Sequence, residues 1–81
     1  MKQYTSIFAG IDMSKAHLDV YLHPTAACRC FDNDTAGWRS LCRWLTDAHP
    51  QGVVYEATGS YHKGVERYLG EQGFPIARLD P

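Results

Sequence analysis

Apolar positions in the first third of the chain follow strand periodicity, and later segments switch between helical and strand spacing. Ser6-Ile7-Phe8-Ala9-Gly10-Ile11-Asp12 is a nearly continuous apolar run closed by a carboxylate, which predicts a strand covered on both faces. His17 to Leu22 alternates, with Leu18, Val20 and Leu22 on one side, Asp19 and Tyr21 on the other, and Pro24 closing the segment. Ala26 to Phe31 is short and β-like and predicts a third strand at a sheet edge. Its connections, Met13 to Ala16 and His23 to Thr25, are hairpin-sized.

The period changes at Asp32-Asn33-Asp34-Thr35, a cluster of cap formers. Trp38, Leu41, Cys42 and Leu45 then recur at i, i+3, i+4 and i+7, an amphipathic helix with Asp34 or Thr35 as its N-cap. Arg39, Arg43 and Asp47 lie on its solvated face, and His49-Pro50-Gln51-Gly52 stops it. Gly52 to Ala57 predicts a second buried strand, again with a carboxylate, Glu56, at its end. Thr58-Gly59-Ser60 reads as a tight turn with a cap. A second helix follows with Tyr61, Val65, Tyr68, Leu69 and Gln72 at helical spacing and Gly73 as its C′ residue. Pro75 to Leu79 is a fifth strand.

The element order is βββαβαβ. Crossover connections are nearly always right-handed and place their strands parallel to a neighbour. Strand four beside strand one gives an α/β fold with a five-stranded mixed sheet of order 3-2-1-4-5. Asp12 and Glu56 then stand side by side at the C-terminal ends of adjacent parallel strands.

Composition narrows the class without deciding it. The chain has 81 residues, 44% of them hydrophobic and 21% charged, as in an ordinary folded domain. A net charge of −1 gives no general attraction to nucleic acid, so any such contact must be local. The opening Met-Lys-Gln-Tyr-Thr-Ser is not a signal peptide, no run approaches a membrane span, and three cysteines fit a reducing, cytoplasmic setting. Cys28 and Cys30, with His23, invite a zinc reading, but no second pair follows at ligand spacing. The plainer expectation is that Cys28, Cys30 and Cys42 are small packing residues.

Two carboxylates at one sheet edge repel unless a cation lies between them. In open α/β sheets this edge is where ligands bind. Oxygen-only ligation suits Mg²⁺ or Mn²⁺, which serve phosphoryl transfer. Asp12 and Glu56 are therefore the candidate metal ligands and catalytic acids. Gly10 opens the backbone beside Asp12 to close approach. Thr58, Gly59 and Ser60 would offer backbone N–H groups to a phosphate at a helix start. Lys15, His62 and Lys63 follow the acids and are candidates for a nucleic-acid backbone, with His62 also a candidate general base, against a plain reading of solvated lysines and a surface or packed histidine. Trp38, Trp44, Tyr61 and Tyr68 can stack bases, although helical spacing assigns Trp38 and Tyr68 to the core.

The phrases "GIDMSKAHLDVYL", "VVYEATGSYHKGVERYL" and "GFPIARLDP" resemble the N-terminal part of the DEDD transposases of the insertion-sequence 110/116/902 group, which share it with Piv-type DNA invertases. The resemblance runs over essentially all 81 residues. It implies an RNase H-like (RuvC-type) fold and DNA strand cleavage and transfer at a divalent-metal tetrad, with Asp12 matching the first acid and Glu56 the second. It also implies DNA as partner, in some members a guide RNA, and a separate domain carrying a catalytic serine. Asp80 stands where the family usually shows Asn and is not counted as a ligand. The expectation is a transposase catalytic domain's N-terminal part, 1–81, shortened before its last helices, inactive alone and self-associating as a homo-oligomer. A non-catalytic interaction module of the same fold is the alternative. A fragment of the actin-like ATPase fold is a third, weakened because Met13-Ser14-Lys15-Ala16 lacks the glycine of a phosphate turn.

Overall fold

The computed structural model describes residues 6–57 and 59–79. Five strands and two helices follow one another as β1 (Phe8–Met13), β2 (His17–His23), β3 (Cys28–Asp32), α1 (Thr35–Ala48), β4 (Gly52–Glu56), α2 (Lys63–Glu71) and β5 (Ile76–Leu79). The strands form one sheet of order β3-β2-β1-β4-β5. β2 is antiparallel to β1 and β3, whereas β4 is parallel to both β1 and β5. The expected α/β architecture and strand order are therefore observed. No helix among the described residues is long and apolar enough to cross a membrane.

Register sorts the side chains. Ala9, Ile11, Leu18, Val20, Leu22, Phe31, Val53 and Tyr55 turn to one face and join Leu41 and Leu45 of α1 and Val65 and Leu69 of α2 in a single core. The two helices also meet each other, Trp38 against Tyr68 at 5.9 Å between ring centres. Both helices thus cover the same face. The other face stays open, with Phe8, Tyr21 and Leu79 43%, 55% and 51% exposed. The reading of β1 as covered on both faces is corrected here: Ala9 and Ile11 are buried, but Phe8 and Asp12 are exposed. A continuous apolar run does not distinguish a doubly covered strand from one whose outward positions are apolar by chance of sequence.

Local chemistry accounts for the helix ends. Asp34 is the N-cap of α1, and its carboxylate accepts the Gly37 N–H at 2.8 Å, satisfying one of the unpaired donors of the first turn. His49 ends α1 in the left-handed region, φ 54°, donating its N–H to Leu45. At the end of α2, Gly73 (φ 87°) donates to Gly70 and Phe74 to Leu69, the paired bonds of a Schellman motif. The start of α2 departs from expectation. Gly59 takes φ 62°, a turn occupies 59–62, and the helix opens only at Lys63, with no side-chain cap. Ser60 does not cap it, and Tyr61 lies outside it and exposed. Cys28 and Cys30 are also exposed rather than packed, and only Cys42 is half-buried.

Gly37 fixes how closely α1 approaches the end of β3. A Cβ there would run into the Asp32 carbonyl oxygen, a backbone atom that cannot swing aside. Gly37→Ala is predicted to cost about 2–3 kcal/mol. A thermal melt followed by circular dichroism should show a Tm lower by roughly 10–20 °C at this chain length. An unchanged Tm would mean that α1 can shift freely on the sheet.

Candidate functional site

β1 and β4 run parallel with Ile11 opposite Tyr55, so the next residue of each strand is a carboxylate, Asp12 beside Glu56. Because Ile11 and Tyr55 point into the core, strand alternation sends both acids to the open face. Both are exposed. They line one cleft of about 360 Å³ with Gly10, Tyr21, Val54 and Leu79. Asp19 is the cross-strand partner of Asp12. Like charges directly opposite are unfavourable in a sheet. Among the described residues both ion pairs involve Glu66, from His62 and Arg78, so no cation is paired with Asp12 or Glu56 there.

The donor chemistry is hard oxygen from two exposed carboxylates. Those residues fit a hydrated Mg²⁺ or Mn²⁺, which takes one or two carboxylates and keeps several waters. No larger group of His, Cys, Asp or Glu is arranged to hold a metal among the described residues.

The remaining sequence candidates scatter. Lys15 is exposed in the β1–β2 turn that follows Asp12. Gly59 and Ser60 are exposed in the turn after Glu56, and Thr58 lies outside the described residues. Lys63 opens α2 and lines a different groove with Trp38, Arg67 and Glu71. His62 is only 5% exposed and packs against Tyr55, the rings 6.3 Å apart. Since Tyr55 faces the helices, His62 sits on the opposite side of the sheet from the acids. Its Nδ1 is buried without a hydrogen bond in the described structure. Beside it the Tyr55 hydroxyl donates to Glu66 at 2.7 Å, and burial followed by that bond holds the phenol well above its ordinary pKa.

Two residues matter here that the sequence did not single out for the site. Tyr21 lies over Gly10: a Cβ on Gly10 would meet its ring at 2.6–2.8 Å. The space left by glycine is thus filled by the chain's own aromatic, an exposed platform next to Asp12. The signal was present in the alternation of β2, which puts Tyr21 on the same face as Asp19. Asn33 is the other. Its side-chain amide donates to the Ser14 carbonyl at 2.9 Å and to the Tyr61 carbonyl at 3.1 Å, and its Oδ1 accepts the Trp38 indole N–H at 2.9 Å. Its backbone N–H also bonds Ala16. One amide therefore ties together the loop after Asp12, the loop after Glu56 and helix α1.

In comparison with known proteins, no family model and no curated protein matches the chain.

Asn33→Ala removes three side-chain hydrogen bonds and is expected to cost about 2 kcal/mol. Hydrogen exchange should quicken at residues 14–17 and 59–62 more than in β2. Asn33→Asp retains the acceptor for Trp38 but loses both donors, so it should loosen the same two loops while leaving the Trp38 indole bonded. Loops that exchange as in the parent would show that Asn33 does not hold them.

Proposed function

We propose that this chain is the N-terminal part of an RNase H-like catalytic domain of a DNA transposase or recombinase. In it Asp12 and Glu56 contribute to a Mg²⁺ or Mn²⁺ site for strand cleavage and transfer. The observation that carries the reading is the pair of carboxylates at the C-terminal ends of adjacent parallel strands, lining one cleft and without a cation partner among the described residues. The order β3-β2-β1-β4-β5 supports an RNase H-like assignment, and the G-I-D-M-S-K and E-A-T-G-S-Y-H phrases around the two acids support the DEDD resemblance.

When bound, the ion supplies positive charge to phosphate oxygens undergoing displacement. Asp12 and Glu56 orient it, and Tyr21 offers a flat surface on which a base or sugar can rest. Lys15 and the 59–60 turn lie in the loops that follow the two acids, and in this reading they would meet the strand's phosphates. DNA, a guide RNA and a second copy of the chain are the partners this reading proposes. The second reading, a non-catalytic module, draws on the exposed Phe8, Tyr21 and Leu79 of the open face. Specific divalent binding separates the two.

The chain supplies two of the four acids that the resemblance implies, so it is expected to bind one ion weakly and not to nick DNA alone. Asp12→Asn should abolish Mn²⁺ binding in calorimetric titration. It also removes a charge facing Asp19 and adjoining Glu56, so the metal-free melt should stay level or rise slightly. Mn²⁺ binding that survives Asp12→Asn would move the ion away from this cleft. Asp12-dependent nicking of supercoiled DNA by the 81-residue protein would show that two acids suffice.

A further inference from the structure

Cys28 and Cys30 occupy alternate positions of β3, so both side chains leave the same face of the sheet. Cys28 pairs with Tyr21 and Cys30 with Asp19, which fixes that face as the open one. β3 is an edge strand, and both thiols are free and exposed. They line one shallow cleft of about 260 Å³, with Asp19 and Tyr21 as its wall on β2. Cys42 is remote from them, half-buried on α1, where burial pushes its thiol pKa up.

Two residues apart on an extended strand, the Cα atoms are separated by about 6.6 Å and the Cβ vectors run side by side. That leaves the Cβ atoms farther apart than the roughly 3.5–4.5 Å that a disulfide requires, so the paired strand disfavours direct S–S closure. A two-coordinate metal asks for something different. Two metal–sulfur bonds of about 2.3 Å in line set the sulfurs about 4.6 Å apart. Rotation about each χ1 toward the other brings two parallel thiols into that range without moving the backbone.

We propose that Cys28 and Cys30 form a dithiolate site for a soft monovalent cation, Cu(I), on the open face of the edge strand. Thiolates select Cu(I), whereas carboxylates and water select Mg²⁺ and Mn²⁺. The two ends of the same face are therefore chemically sorted, sulfur on β3 and oxygen on β1 and β4. Two S–H bonds break and two S–Cu bonds form, and both protons leave to solvent with no change in oxidation state.

The test is anaerobic titration of the 81-residue protein with Cu(I) buffered by bicinchoninate, reading the chelator's absorbance. One Cu(I) per chain is expected. Cys28→Ser and Cys30→Ser should each weaken binding by more than about 100-fold, beyond the roughly 10–100-fold that a lost supporting hydrogen bond costs a metal site. Cys42→Ser should bind as the parent does. Both β3 positions are exposed, and a melt by circular dichroism confirms that each variant is folded. Mn²⁺ titration of the same variants should be unchanged, which keeps this site separate from the acid cleft. The proposal is overturned if the parent does not bind, if either β3 variant still binds tightly, or if Cys42→Ser removes binding. Sedimentation showing one ion per two chains would overturn it as well.

Discussion

Parallel pairing of β1 with β4 is the constraint on which the rest of the molecule depends. It places Ala9 and Ile11 beside Val53 and Tyr55 on one face, and these four side chains form the floor of the core under both helices. Side-chain direction has a period of two along a strand, so a slip of one residue would exchange buried and exposed positions throughout both strands. The same pairing makes the two crossovers run in one direction across the sheet. Right-handed connections made in one direction put both helices on one face. The open face is therefore a consequence of topology and not of weak hydrophobicity in the strands.

That topology explains how an electrostatically unfavourable arrangement is held. Asp12 lies opposite Asp19 and beside Glu56, and the lateral pairing of three strands fixes their order. The acids did not choose each other. Ile11 and Tyr55 are buried, and the residues that follow them in the strands must turn outward wherever the chain provides them. The cost falls on the open face, where water screens it, and the stabilisation comes from the core beneath. Local conflict is tolerated here because the surrounding structure is consistent, and it is the repulsion that the proposed cation would relieve.

The architecture was legible because its signals are periodic and strong. Leu18, Val20 and Leu22 alternate over a full strand, and Trp38, Leu41, Cys42 and Leu45 trace one stripe, so β2 and α1 follow from pattern alone. Of the two cap candidates, Asp34 and Thr35, Asp34 is the cap, its carboxylate three residues before the N–H it accepts, and Thr35 opens the helix. The turn at Thr58-Gly59-Ser60 promised a cap for the second helix, and no side chain caps it. Gly59 turns left-handed just before Ser60, and the turn over 59–62 delays the helix to Lys63. A cap residue reveals a possible start, but the preceding backbone decides whether the chain arrives at the right angle. His62 stands at that delayed start, buried against Tyr55, the packed one of its plain readings. Cys28 and Cys30 look like packing residues, and the edge position of their strand is legible, but the register turns both to the face that no helix covers, while Phe31 of the same strand is buried.

Asn33 shows a further limit of sequence reading, because its importance lies in what it joins. The residue stands among cap formers and looks like one of them, yet the N-cap is its neighbour Asp34. Its amide reaches Ser14, nineteen residues before it, and Tyr61, twenty-eight after it. These are the loops that leave the strand ends bearing Asp12 and Glu56. The strands alone position the two carboxylates, while the loops set what can approach them. Trp38 in turn holds the Asn33 oxygen and packs on Tyr68, so the tie is anchored in the contact between the helices. Loop order on the open edge is thus connected to helix packing on the covered face through one side chain. A disturbance between α1 and α2 would be felt at the acids first as looser loops, with the strand-borne carboxylates still in place.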